Sequence, residues 1–128
     1  MAITPNTINV QDLPTAGADW NVSLYSADLS GCEEIKAAVA RANIYLTRIQ
    51  IRTATALTLT IGSGETTGAV TTIHLGPIPF DAASGFFAIS FPDKKGMKCT
   101  EGLALVIDAD GAGATWVYAE GRTCKLLP

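Results

Sequence analysis

The stretch that decides the fold runs from Ile44 to Ile61 and reads IYLTRIQIRTATALTLTI. In its second half the apolar residues Leu57, Leu59 and Ile61 alternate with threonines, which is the period of a half-buried β-strand. The first half alternates as well, and threonine and β-branched residues suit a strand there too. We expect one face of this first strand to carry Tyr45, Thr47, Ile49 and Ile51, and the other Ile44, Leu46, Arg48, Gln50 and Arg52.

Shorter segments of the same alternation lie on both sides of this stretch, separated by turn-forming residues. Gly76-Pro77 is expected to end one strand, and Asp110-Gly111 to turn the chain into a final hairpin. Seven or eight strands at such spacing predict an all-β domain, specifically an antiparallel, jelly-roll-like β-sandwich. The additional strands are predicted over 19–25, 69–75, 86–91, 97–100, 103–108 and 115–120.

The segment from Ser30 to Ala42 allows two interpretations. Ser30 and Glu33 have the spacing of a helix capping box, and the residues that follow suit a short helix. The same segment can form a strand over 34–39 that turns through 41–43. Because a second helical turn of large apolar residues is missing, we favour the strand.

A chain of 128 residues suits one domain. Residues 1–18 are rich in Pro, Thr and Asn, and they predict an extended N-terminal arm ahead of a single β-sandwich domain over 19–128. Ile8, Val10 and Leu13 could anchor this arm as an edge strand, either on a neighbouring subunit or on its own sheet. The first ten residues lack the basic and apolar regions of a signal peptide.

The amino-acid composition favours protein partners over nucleic acids and membranes. Apolar residues make up 48% of the chain and charged residues only 16%, which suits a protein that covers part of its surface against neighbours. The net charge is −3 and the basic residues are scattered, so we expect no nucleic-acid partner. No apolar run is long enough to span a bilayer, so we expect no membrane partner.

The residue types needed for catalysis are sparse. The one histidine, His74, falls within a predicted strand, where we expect a solvated or hydrogen-bonded surface side chain. No nucleophile-elbow, phosphate-loop or zinc-protease motif occurs. Asp108, Asp110 and Glu120 could meet at the final hairpin, but the segment lacks the further ligands of a calcium loop. We therefore predict no catalytic residue, no cofactor and no metal.

Three cysteines, Cys32, Cys99 and Cys124, have the spacing of neither a zinc site nor a redox motif. We expect buried or partly buried free thiols. The alternative is a Cys99–Cys124 disulfide that would fix the C-terminal tail.

Aromatic residues are the best candidates for contacts with a partner. Trp116 and Tyr118 have the i, i+2 spacing that places both side chains on one face of a strand. A sugar-binding module would expose both rings, whereas the interpretation we favour places one ring in the core and the other at a subunit contact. The predicted partner-binding residues are Ile8, Val10, Leu13, Trp20, Trp116 and Tyr118.

Six short segments follow one another between Ile35 and Gly121, over about two thirds of the chain: Lys36–Val39, Ile44–Ile49, Ala56–Gly62, His74–Phe80, Gly102–Asp108 and Ala119–Gly121. Their order resembles that in small accessory structural proteins of tailed bacteriophages.

The resemblance implies the function of a capsid decoration, or cement, protein. Such proteins have sandwich or jelly-roll cores, form trimers or other small rings and bind the outer shell, and they bring no catalytic residues. We therefore expect a homo-oligomer, with a trimer favoured, that is made in the host cytoplasm and binds the major capsid protein or other virion subunits at the capsid surface. A receptor- or carbohydrate-binding module of a phage fibre or tail is the alternative.

Overall fold

The computed structural model describes residues 10–64, 70–80 and 85–125, and the predicted anchor Ile8 lies outside them. Every strand pair in this part of the chain is antiparallel, so the predicted all-β, antiparallel class is confirmed. The described residues contain no helix, which rules out the helical interpretation of residues 30–42. The strands are β1 (Val10–Asp12), β2 (Ala18–Lys36), β3 (Ala42–Thr53), β4 (Leu57–Gly64), β5 (Val70–Phe80), β6 (Gly85–Ser90), β7 (Lys95–Lys98) and β8 (Ala104–Lys125).

Two strands are much longer than the alternation predicted. β8 continues through Asp110-Gly111 as extended chain, so the expected final hairpin is wrong. β2 pairs with β8 from Ala18 to Lys36, with register shifts after Ser26 and around Leu29. Such irregularities bend and twist a strand without ending its pairing, so turn-forming residues here mark bends within strands.

The long β2–β8 ribbon divides the sheet into two wings. The β3 wing contains the first half of β2, the second half of β8, and then β3, with β6 and β7 along the outer edge of β3 and β1 beyond β7. The β4 wing contains the second half of β2, the first half of β8, β4 and β5. Each half of β8 therefore belongs to a different wing.

A β-bulge changes the faces of β3 from those predicted. The pairing of β3 with β8 shifts between Leu46 and Arg48, which leaves Thr47 as the extra residue. As a result Leu46 and Ile49 both lie in the core, although simple alternation places them on opposite faces. The Thr47 hydroxyl donates a hydrogen bond to the Glu120 carbonyl, 3.0 Å away, across the bulge.

One of two connections differs from expectation. β5 continues through Gly76-Pro77 to Phe80, with Gly76 at a φ of 110°, so this dipeptide does not end the strand. Between β2 and β3 the chain turns at Arg41, within the predicted turn over 41–43, although β2 ends at Lys36 instead of 39. Arg41 adopts a φ of 58°, a conformation that is uncommon outside glycine.

One hydrophobic cluster joins the wings. Leu46, Ile49 and Ile51 come from the β3 wing and pack in the same cluster as Leu59 and Ile61 of the β4 wing. All five side chains are at most 1% exposed. Burial of large aliphatic side chains is the dominant favourable contribution to folding, so the two wings stabilise each other.

The described part of the N-terminal arm lies against its own sheet. β1 pairs with β7, and the Leu13 amide donates to the Lys94 carbonyl at 2.9 Å. Val10 is exposed and Leu13 is half-buried. The division of the chain into an arm over 1–18 and a domain over 19–128 stays a prediction.

Two glycines of β8 provide a matched test of this packing. A Cβ on Gly121 would lie 2.1 Å from the Tyr45 carbonyl oxygen, whereas a Cβ on Gly111 would have nothing nearer than Leu57 at 3.9 Å. We expect Gly121→Ala to lower the free energy of unfolding by about 1–3 kcal/mol, as overpacking does. Gly111→Ala should leave it unchanged or raise it by up to about 1 kcal/mol. Urea unfolding followed by circular dichroism measures both, and equal effects would contradict the packing described.

Candidate interaction surface

A row of large side chains crosses the outer face of the β3 wing, the face opposite the core. Four residues on four adjacent strands are directly paired: Tyr25 with Trp116, Trp116 with Arg52, and Arg52 with Phe86. Directly paired residues in antiparallel strands lie on the same face, with Cβ atoms about 5 Å apart. We call these four residues the aromatic row.

Tyr25 and Arg52 each contact Trp116, and the aromatic row remains open to solvent. The ring centroids of Tyr25 and Trp116 are 4.9 Å apart at an interplanar angle of 38°. The Arg52 guanidinium lies over the Trp116 ring, 5.7 Å from its centroid, in a cation–π arrangement. Tyr25, Trp116 and Phe86 are 57%, 42% and 65% exposed. Large side chains are thus held in place while much of their surface still faces solvent.

Strand alternation explains why these residues point outward. On β8, β3 and β6 the neighbouring residues Val117, Ile51 and Phe87 pack in or against the core. Side chains of consecutive strand residues point to opposite faces, so this packing fixes the outward direction of Trp116, Arg52 and Phe86. Tyr25 shares their face because it is directly paired with Trp116. The row therefore stands on a packed sheet rather than on a loop.

Polar groups border the aromatic row. The next row on the same face pairs Ser23 with Tyr118 and Tyr118 with Gln50. A shallow cavity of about 170 Å³ lies among these side chains, Arg52, Phe86 and Trp116. The Tyr118 hydroxyl donates to Glu120 Oε1 at 2.6 Å, and this hydrogen bond to a carboxylate raises the pKa of Tyr118. The surface thus combines apolar rings with oriented hydrogen-bonding groups.

The structure unites some of the predicted partner-binding residues and separates others. Trp116 and Tyr118 share the outer face, as their spacing predicted, but neither ring lies in the core cluster, so the expectation of one ring in the core is wrong. Trp20 lies on the opposite face and packs against the core, with Lys36 Nζ 5.8 Å from its ring centroid, at a separate cavity of about 490 Å³. Val10 and Leu13 lie near the far edge of the β3 wing, beside β7.

Sequence reasoning missed three members of the aromatic row, namely Tyr25, Arg52 and Phe86. Alternation within each strand already places them opposite the apolar side chains of that strand. Alternation does not reveal which strands are neighbours, and the row exists only because β2, β8, β3 and β6 are adjacent.

His74 is buried, so its expected place on the surface is wrong. It is 2% exposed, and its Nε2 lies 2.8 Å from the Oγ of Ser63, which is 0% exposed. Ser63 Oγ also accepts a hydrogen bond from the Thr100 amide at 2.8 Å. This polar cluster joins β4, β5 and the segment after β7. Because both side chains are buried, a substrate could not reach the Ser63 hydroxyl without local unfolding.

The acidic residues do not form a cluster of ligands. Asp110 Oδ1 accepts a hydrogen bond from the Thr58 amide at 2.7 Å, and Glu120 accepts one from Tyr118. Within the described residues no three His, Cys, Asp or Glu side chains come close enough to hold a metal ion. The same part of the chain has no helix of the length and apolarity needed to cross a membrane.

All three cysteines are free thiols. Cys99 packs in the core, and burial raises its pKa from 9.0 to about 12 despite a hydrogen bond with Ser63. Cys124 Sγ donates to the Ala16 carbonyl at 2.9 Å, outside the core cluster. The alternative Cys99–Cys124 disulfide is therefore not present.

The chain matches no protein-family model, and no curated protein matches its sequence.

The Ser63 cluster predicts a position-specific loss of stability. Ser63→Ala removes the acceptor of the part-buried Thr100 amide hydrogen bond and the partner of the buried His74 Nε2. We expect the free energy of unfolding to fall by about 1–3 kcal/mol, the usual cost of an unsatisfied buried polar group. Ser90→Ala, at an exposed strand position, should change it by less than about 0.5 kcal/mol. Equal losses in urea titrations of the two variants would contradict a structural role for the cluster.

The raised pKa of Cys99 predicts the alkaline behaviour of the fold. Folded protein keeps the thiol proton up to about pH 12, whereas unfolded chain releases it near 9.0. The unfolded state thus binds fewer protons between these values, so stability falls as the pH rises through this window. In Cys99→Ala this contribution is absent, and the free energy of unfolding should fall less steeply with pH. Parallel slopes for the two proteins would contradict the prediction.

Proposed function

We propose that the chain is a virion structural protein, specifically an oligomeric capsid decoration protein that binds and stabilises an assembled bacteriophage head. The observation that carries this proposal is the aromatic row, which presents exposed Tyr, Trp and Arg side chains on a core-backed sheet. The resemblance of the ordered sequence segments to phage accessory proteins supports a capsid protein as the expected class of partner.

The chemistry of the aromatic row suits a protein partner. Trp, Tyr and Arg are the residue types most enriched among the few that dominate binding energy at protein interfaces. Tyr25, Trp116 and Arg52 already contact one another, so docking would restrict few additional rotamers. The neighbouring Gln50 and Tyr118 supply the polar rim that such interfaces carry.

The finer architecture belongs to the same proposal. We interpret the two wings as the layers of a jelly-roll-like sandwich, because one hydrophobic cluster draws residues from both. The long strands β2 and β8 would then cross from one layer to the other at their bulges or bends, as sheet-switching strands do.

The proposed partner is the major capsid protein or another virion subunit at the capsid surface. A capsid lattice offers many equivalent sites, so an oligomer that engages several together binds far more tightly than one contact alone allows. A trimer is the favoured oligomer, and the proposal assigns the chain no catalytic role.

A carbohydrate-binding module of a phage fibre or tail is the second candidate. The exposure of Trp116 and Tyr25 favours it, because sugar rings stack on exposed aromatic faces. The 38° angle between the two rings and the position of Arg52 over Trp116 leave less flat surface for stacking. A protein partner is therefore the stronger proposal.

Capsid binding tests the proposal. Purified protein is mixed with virions of the encoding phage from which the native copies have been removed, and co-sedimentation measures bound protein. Trp116→Ala and Arg52→Ala should each weaken binding by about 30-fold, the effect of losing about 2 kcal/mol from a central contact.

Ile73→Ala is the matched control, because Ile73 is 41% exposed but lies on β5 in the β4 wing, outside the aromatic row. Binding by this variant should equal that of the wild type. If the wild-type protein ignores capsids, or if Trp116→Ala binds as tightly as Ile73→Ala, the proposal is wrong. Quenching of tryptophan fluorescence by purified host-surface polysaccharide, and not by capsids, would support the carbohydrate-binding candidate.

A further inference from the structure

The N-terminal strand reaches its place by an unusual route. β1 lies at one side of the β3 wing, in the order β1, β7, β3, β8, while β2 lies on the far side of β8. Only residues 13–17, which we call the strap, connect the end of β1 at Asp12 to the start of β2 at Ala18. The strap therefore has to cross three intervening strands.

Simple distances indicate that the strap has little slack. Neighbouring strands are about 4.8 Å apart, so the four spacings from β1 to β2 amount to about 19 Å in a flat sheet. Six Cα steps from Asp12 to Ala18 reach at most about 20–22 Å. Val10 and Trp20 lie in one cross-strand row, paired through Met97, Leu46 and Gly121, so Ala18 lies four residues behind Asp12 along the strand direction. This offset of about 13 Å would take the flat-sheet distance to about 23 Å, beyond the reach of the strap. The strap therefore spans its ends only because the sheet curves.

The strap is fixed to the sheet mainly by polar contacts. Arg122 Nη1 donates to the Pro14 carbonyl at 2.6 Å, and Cys124 Sγ donates to the Ala16 carbonyl. Gly17 adopts a φ of 134°, and a Cβ there would lie 2.6 Å from Cys124 Sγ. The crossing is close enough to the sheet that only glycine fits at this position.

The strand at the N-terminal end of the strap, β1, buries little apolar surface. All three residues of β1 are exposed, and its Asp12 forms an ion pair with Lys95 at the surface. Such pairs contribute at most about 1 kcal/mol. The β7 edge beneath is different, because Met97 is fully buried and an uncovered strand edge invites pairing with another chain. The edge of β7 thus requires a paired strand, which either the same chain or another copy can supply.

We propose that in the oligomer this N-terminal strand is exchanged, so that residues 10–12 of each subunit pair with β7 of a neighbouring copy. An identical strand makes the same backbone hydrogen bonds and the same Asp12–Lys95 ion pair. Docking within one chain is favoured only when the linker spans its sites comfortably, and short strained connections favour exchange between copies. This inference rests on the oligomer of the proposed function, and it assigns the pairing of residues 10–12 with β7 as a contact between its subunits.

A disulfide trap tests the exchange directly. Asp12 and Lys95 are paired across β1 and β7 and are both exposed, so Asp12→Cys with Lys95→Cys should fold and form a disulfide. Cys32→Ser in the same chain removes the one other thiol that is not buried. After mild oxidation, exchanged strands give covalent multimers on a non-reducing denaturing gel. Strands seated on their own β7 give only closed monomers, and that result would overturn the inference.

Strap length provides the matched control. In the same disulfide background, two glycines inserted after Thr15 relieve the crossing, and the product should shift from covalent multimers to closed monomers. Deletion of Thr15 tightens the crossing and should abolish closed monomers. If the insertion and the deletion give the same mixture as the parent, strap length does not govern pairing and the inference fails.

The native chain gives an independent readout. Carbodiimide joins a carboxylate to an amine in contact with it, so it should couple Asp12 to Lys95. With subunits of two isotopic compositions refolded together, exchange yields mixed-isotope cross-linked peptides, whereas same-isotope peptides alone contradict exchange. Closed monomers with normal capsid binding would overturn the exchange only, whereas covalent multimers that ignore capsids would overturn the proposed function only.

Discussion

The pairing of β2 with β8 is the constraint on which the rest of the structure depends. These two strands run together through both wings, and they supply the ladder to which β3 and β4 attach at different ends of β8. The hydrophobic cluster forms because this ribbon brings Leu46 and Ile49 of one wing to Leu59 and Ile61 of the other. A break in the ribbon would therefore separate the two halves of the core as well as the backbone hydrogen bonds.

Local alternation was sufficient to predict the class of the fold. It was not sufficient to predict which distant segments pair with each other. Leu57, Leu59 and Ile61 fall on the core face as their spacing indicated. Asp110-Gly111 was misinterpreted as a turn, because β8 stays extended through an irregularity in its pairing with β2, between the pairs Leu29–Gly113 and Gly31–Ala109, and no local pattern reveals that partner strand. The bulge at Thr47 likewise reversed the predicted faces for part of β3, since one extra residue changes the side on which every following side chain lies.

The candidate surface could likewise be predicted only in part from local alternation. The spacing of Trp116 and Tyr118 predicted a shared face, and the structure has that face. Tyr25, Arg52 and Phe86 could join them only through the order of four strands, which alternation does not encode. His74 was misplaced for a related reason, because its partner Ser63, which also accepts a hydrogen bond from the Thr100 amide, comes from another strand and lets a polar ring lie in the interior at low cost.

The covering of Cys124 by the strap gives this chain a natural footprinting probe. Its sulfur lies under the Ala16 carbonyl and beside Gly17, so it is only 7% exposed although it lies outside the core cluster. An alkylating reagent can modify this thiol only while residues 16 and 17 are lifted away. The rate of its labelling therefore reports how often the crossing detaches, while Cys99, sealed at 2% exposure, reports the opening of the core.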